Sequence, residues 1–272
     1  MTLSFELRRE RHAIGEFTAN LTFFDEISSS GFAYVVTRLR EISRELDLPA
    51  AMNMQVVTVH VDGQTAKPEL SDGAGWQRFL PNGEVALSLF CDRDSIQLSC
   101  QDYKSWDEML PLIVKHFGDL AILYIKEVPA VKAFTIRYLN EFRSLSNGFV
   151  SPAELLRDRN YWFAPLGLRA PGPWHSNVGI FEESKADSRR LAHVNLACVM
   201  AGGPDRSEPF TLFSAVIAVG QQYDVPGAKP LAVEAASIQD ILAKHFDAAH
   251  LREKEILAEL FTDPYLAAMG AA

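Results

Sequence analysis

The chain has 272 residues, with 26 Lys+Arg against 35 Asp+Glu and a formal charge of -9 at pH 7. That excess of carboxylates argues against a nucleic-acid binder, whose affinity rests on cations neutralising phosphates. A hydrophobic share of 48% beside 22% charged residues is that of a folded chain rather than a disordered one. No apolar run approaches the ~20 residues of a membrane-spanning helix, and Met1–Leu7 lacks the apolar core of a secretory leader. Cys91, Cys100 and Cys198 are an odd set without metal spacing. The expectation is a soluble cytoplasmic protein with reduced thiols. Its one dense basic cluster, Arg8, Arg9 and Arg11, is broken by Glu10.

Phe17, Ala19, Leu21 and Phe23 alternate with Thr18, Asn20 and Thr22, the period of a half-buried strand. Ser28-Ser29-Ser30 leads into a helix opening at Gly31, with Phe32, Val35, Val36, Leu39, Ile42 and Leu46 on one face. A strand is expected at Met54–Val61, with Thr58 and His60 on its polar side. The Gly-, Asp- and Pro-rich stretch 62–83 reads as loop. Val85, Leu87, Leu89 and Cys91, then Ile96, Leu98 and Cys100, read as a hairpin turned by 92–95, which puts both cysteines on the apolar side.

Ser105 and Glu108 have capping-box spacing ahead of a helix with Trp106, Met109, Leu110, Ile113 and Phe117 on its inner stripe. Pro111 predicts a kink there or a later start. A strand follows at Val131–Phe142. Residues 144–175 change character, with Pro152, Pro165, Pro171 and Pro173 and a short helix capped by Ser151 and Glu154. Strands are expected near Asn177–Glu182, Leu191–Met200 and Phe210–Gly220, the last apolar on both faces and so central in its sheet. A helix capped by Ser237, with Asp240 at box spacing, runs to about Phe261.

The order predicts an α+β fold, mainly antiparallel sheet with long amphipathic helices packed on it. The proline-rich stretch allows two sub-domains: an N-terminal α+β half (1–143), a connector (144–175), and C-terminal strands plus a long helix (176–272). Tyr103-Lys104-Ser105-Trp106, the strand Ile136-Arg137-Tyr138-Leu139-Asn140-Glu141-Phe142 and the ending His250…Phe261-Thr262 occur in one order. In that order and spacing the chain resembles a sporadically distributed bacterial family of uncharacterised proteins of about this length, with an Arg-Tyr-x-Asn strand as its most specific feature. The resemblance implies a bacterial cytoplasmic setting and no particular activity.

Strand alternation places Tyr138 and Asn140 with Phe134, Ile136 and Phe142, so Asn140 is expected buried with its amide bonded to backbone. Arg137 falls on the opposite side. Gathered with Thr18, Asn20, Thr22, Thr58, His60, Gln97, Ser99, Thr135 and Glu141, it defines a polar, mostly uncharged sheet face. Candidate ligand- or partner-binding residues are therefore Arg137, Tyr138, Asn140, His60 and Gln97. His245 and His250, five apart, lack the spacing of a zinc pair and read as structural or capping groups. His193 and Asn195 share one strand side. Glu182-Glu183 reads as a hairpin-turn charge pair, and Gly202-Gly203-Pro204-Asp205 as a turn. There is no nucleophile elbow, P-loop or dinucleotide fingerprint.

These observations predict a non-enzymatic regulatory or adaptor protein that meets another protein, or a second copy of itself, and uses neither cofactor nor metal. The alternatives are a small-molecule binder whose long helix closes over the sheet in a helix-grip manner, and an enzyme without a recognisable motif.

Overall fold

The computed structural model describes residues 3–8, 12–62, 65–158, 160–163, 167–182, 188–203, 206–224 and 230–270. In chain order the elements are β1 (Phe5–Leu7), β2 (Ile14–Phe23), α1 (Ser29–Glu45), β3 (Ala50–Asp62) and β4 (Thr65–Phe79). Then come β5 (Val85–Cys91), β6 (Ser95–Cys100), α2 (Trp106–Ile125), β7 (Ala130–Asn147), β8 (Trp174–Glu182), β9 (Arg189–Gly203) and β10 (Arg206–Gln222). The short β11 (Leu231–Ala232), α3 (Ile238–Leu260) and α4 (Asp263–Ala268) complete it.

Local chemistry accounts for most of these. The Ser28 hydroxyl accepts from Gly31 N at 3.0 Å, so α1 begins slightly ahead of Gly31. Ser105 accepts from Glu108 N at 3.3 Å, and α2 starts at that cap rather than beyond Pro111. One missing N–H in the second turn does not move the start. Ser237 does not cap α3. It belongs to a 3₁₀ turn, Ala235–Ser237, and its hydroxyl turns back to Glu234 O at 3.1 Å.

The stretch expected to be loop is largely strand. β4 pairs along its length with β3 and at its end with β5. Its glycines make room for a ring. A Cβ on Gly73 would come 2.2 Å from Phe90 Cζ, and one on Gly75 would meet Met52 Cε at 2.8 Å and Leu89 O at 2.9 Å. The turn expected at 202–205 partly belongs to β9, which includes Gly202 and Gly203; Pro204 and Asp205 lie outside the described residues.

The fold is α+β on antiparallel sheet. Nine strands run in the order β3-β4-β5-β6-β2-β7-β10-β9-β8, with β1 and β11 pairing to the two ends of β7. Residues 1–143 and 176–272 contribute to one sheet. β7 pairs with β2 on one side (Phe17↔Tyr138) and with β10 on the other (Ile217↔Tyr138). As its two apolar sides predict, β10 lies inside the sheet, between β7 and β9. The proline-rich connector holds two single 3₁₀ turns and buries Leu155, Leu156, Trp162 and Phe163.

The helices cover one face of the sheet. α1 packs over β4 and β5, α2 over β6 and β2, and α3 over β7 and β10, with α1 against α2 and α2 against α3. Between them and the sheet lie Phe17, Phe23, Phe134, Tyr138, Phe142, Phe213 and Phe246, all fully buried. Cys91, Cys100 and Cys198 are buried and form no disulfide among the described residues. The other sheet face carries no helix among the described residues. Among the described residues no helix is long and apolar enough to cross a membrane.

Candidate functional site

A cavity of about 460 Å³ opens where the start of α2 meets the second half of α3 over β7. Its floor is Tyr138 and Asn140 on β7. One wall is Ala13 and Ile14 at the head of β2, another Tyr103 and Trp106 at the entry to α2, and the third His250, Glu253 and Leu257 on α3. Met269, just beyond α4, closes one end. Exposed Lys104, Asp107, Leu251 and Lys254 form the rim.

Each side chain arrives by a local rule. Tyr138 and Asn140 are two apart on a strand, so both point to the helix-covered side. His250, Glu253 and Leu257 stand at i, i+3 and i+7 on α3 and share its inner stripe. Ser105 fixes the first turn of α2, which holds Trp106 against α3. The Trp106 indole stacks on the His250 ring, centroids 4.4 Å apart and 20° between planes, and its Nε1 donates to Asp247 Oδ1 at 3.0 Å.

The interior is a set of polar groups with few partners. Tyr138 Oη and His250 Nδ1 are hydrogen-bonded at 2.9 Å. Tyr103 meets Tyr138 edge to face at 5.8 Å. Asn140, 1% exposed, reaches the Ala215 carbonyl through Nδ2 at 3.5 Å, the far limit of a hydrogen bond. Glu253 is 2% exposed. Its Oε2 is 3.9 Å from His250 Nδ1, and its Oε1 has no hydrogen-bond partner among the described residues.

Burial keeps these groups neutral. It pushes the Glu253 carboxyl up to about 8, against the opposing pull of Lys254. It pushes the His250 imidazole down to about 4, helped by Lys254 and resisted by Asp247 and Asp107. The hydroxyls of Tyr103 and Tyr138 are raised by burial as well. At neutral pH the cavity therefore presents a protonated carboxyl, a neutral imidazole, two phenols and a carboxamide. Such a surface hydrogen-bonds a ligand at several points, and its carboxyl can give up a proton near pH 8.

The residues singled out from sequence fall in two places. Tyr138 and Asn140 line the cavity. Arg137 and Gln97 are on the open sheet face, where Arg137 Nη1 pairs with Glu16 Oε1 at 2.9 Å and Gln97 Nε2 donates to Ser99 Oγ at 3.3 Å. The side chain of His60 lies outside the described residues. His193, also on the open face, contacts Asn177 Oδ1 through Nε2 at 2.7 Å. His245 is structural, stacked on Phe134 at 4.5 Å and 12°, with its Nε2 3.2 Å from Tyr223 Oη. Glu182 is no simple turn residue. It accepts from Arg252 Nε at 2.7 Å, tying the end of β8 to α3; Glu183 lies outside the described residues.

Sequence reasoning missed Glu253, Tyr103 and Trp106 as a group with His250. A signal existed: His250 and Glu253 are three apart, and both continue the stripe through Phe246 and Ala249. Among the described residues no group of three or more His, Cys, Asp or Glu is placed to hold a metal ion. No family model, curated protein or solved structure matches the chain.

Proposed function

We propose that the protein binds a small organic molecule in the cavity between α2, α3 and β7. One observation carries the reading. Glu253 lines a space of about 460 Å³, is 2% exposed, and has a carboxyl oxygen with no hydrogen-bond partner among the described residues. An unsatisfied buried polar atom costs roughly 1–3 kcal/mol, a cost that a ligand supplying the missing partner removes. The cavity is within the size of small-molecule sites, and its mix of aromatic wall and a few convergent polar groups is typical of them. α3 lies over β7 and β10 much as a gripping helix does.

The test is a thermal-shift screen of metabolites against the chain and against Leu251→Trp. Leu251 is 54% exposed at the rim, so an indole there narrows the mouth without disturbing the core. A ligand at ~100 times its Kd stabilises by about 2.7 kcal/mol, which raises Tm by several degrees. The expected result is a compound that stabilises the native chain and loses that effect with Leu251→Trp. Compounds that stabilise both equally would place binding elsewhere.

A second reading, contact with another protein, draws on the open face. There Leu139 and Val216 stand partly buried, in register with each other. Such a partner would be indifferent to Leu251→Trp.

A further inference from the structure

The chemical class of the ligand follows from what surrounds Glu253, given that the cavity binds a small molecule at all. On α3 its ionisable neighbours are His250, which is neutral, Lys254, which points to the rim, and Asp247, which is held by the Trp106 indole. From α2 and the segment before it come Asp107, Tyr103 and Lys104; from β7 comes Tyr138; from ahead of β2 comes His12. None of these has a hydrogen bond to Glu253 Oε1. His250 Nδ1 lies 3.9 Å from its other oxygen. Among the described residues this carboxyl, which lines the cavity, has no cation paired with it. The rings of Tyr103, Tyr138 and Trp106 line the same space, and aromatic walls favour a positive centre through their quadrupoles.

We propose that the ligand is a small organic cation, a primary or secondary ammonium on an apolar body, which seats its N–H on the Glu253 carboxyl between Tyr103, Tyr138 and Trp106. The carboxyl proton leaves to bulk water as the ammonium arrives: a neutral Glu253 carboxyl and a free ammonium become a carboxylate–ammonium pair and one released proton. No covalent bond to the ligand forms; the ammonium takes the place of the proton in balancing the carboxylate. Asn140 offers a second hydrogen-bonding position on the floor, since its contact with Ala215 O is 3.5 Å long.

The probes are 2-phenylethylammonium, its neutral isostere 2-phenylethanol and the anion phenylacetate, titrated calorimetrically into the full chain and into Glu253→Gln. The ammonium is expected to bind the native chain best and to tighten about fivefold between pH 7 and 8, as the competing proton is lost from a carboxyl that titrates near 8. Binding in two buffers of different ionisation enthalpy should show close to one proton released at pH 7. That readout needs no variant, so it stands even if Glu253→Gln folds poorly. In Glu253→Gln the ammonium should weaken by at least ~10-fold, a conservative figure for a buried opposite charge, while 2-phenylethanol is unchanged. If the native chain prefers the alcohol or the anion, or Glu253→Gln holds the ammonium equally well, the cation is refuted and the cavity reading survives. If none of the three binds at about 10 mM, a concentration above any specific Kd of interest, the cation proposal falls. The rim variant Leu251→Trp then judges the cavity independently.

Discussion

β7 presents neighbouring residues to opposite environments. Arg137 and Glu141 look onto the open face, Tyr138 and Asn140 into the helix-covered side. On the open face, charge is handled by pairing at the partly exposed surface: Arg137 with Glu16 and Glu141 with Arg8. Under the helices no such solution exists, so charge is handled by protonation, with Glu253 held as the acid and His250 as the base. The polar residues that stand out in the sequence belong to both sides. Only those on the covered side meet a cavity, and there an unpartnered polar atom has chemical consequences.

The sharpest way to break this comparison is to remove the packing that defines the covered side. Phe134 is fully buried, stacked on His245 and set edge-on to Phe246 at 5.9 Å. Phe134→Ala should cost roughly 3–5 kcal/mol in urea melts. Thr135→Ala, one residue along on the open side, should cost within about 0.5 kcal/mol. A Phe134→Ala that costs under ~1 kcal/mol would mean that α3 is not seated on β7.

The next effect is a pH slope. Glu253 has a folded value near 8 against an ordinary 4.5, so the native state keeps a proton that the unfolded chain loses. Its stabilisation is full below 4.5 and is lost as pH rises toward 8, by up to about 1.4 kcal/mol per unit. His250 runs the other way. Its folded value near 4 lies below its ordinary 6.5, so stability falls as pH drops from 6.5 toward 4. The two slopes oppose each other between 4.5 and 6.5, and above 6.5 only that of Glu253 remains of the two. Urea midpoints should show the native chain losing roughly 2 kcal/mol from pH 6.5 to 8 relative to Glu253→Gln. Parallel curves for the two proteins would refute the buried acid.

Much of the fold is written in local periods, and the site is not. Alternation in 17–23, the hairpin 85–100 and the stripes of α1 and α2 survive because each element meets one apolar layer, which is what period encodes. β4 hid because Gly73 and Gly75, loop residues by composition, are there to admit Phe90 from the next strand. α4 hid because it is short and carries a proline in its first turn. That β7 joins both halves is a pairing choice, which no local pattern records.

Glu253 sits in Arg252-Glu253-Lys254-Glu255, a run that reads as solvated helix. Arg252 is bound by Glu182, Glu255 and Glu259, and Glu255 faces outward. Only the arrival of Tyr103 and Tyr138 from other elements makes the position between them interior. Tyr138 and Asn140 were legible because strand parity is strict; the partners they meet are set by tertiary packing.

The smallest expected effect tests parity on the two sides of the same strand. Asn140→Leu should cost about 1 kcal/mol, the low end for losing a buried hydrogen bond, because its bond to Ala215 O is 3.5 Å long and leucine finds space in the cavity. Arg137→Ala removes a pair whose side chains are 40% and 27% exposed. Such pairs are worth roughly 0–1 kcal/mol, and Glu16 keeps a second contact from Thr18 Oγ1 at 3.2 Å. Arg137→Ala should therefore shift the urea midpoint least of all, by the equivalent of about 0.5 kcal/mol or less, and leave cavity binding unchanged. Asn140→Leu should alter binding more than it alters stability. If Arg137→Ala proved the more destabilising, the open face would be covered in solution by something that buries this ion pair. The contrast between the two sides of β7 would then belong to the isolated chain alone.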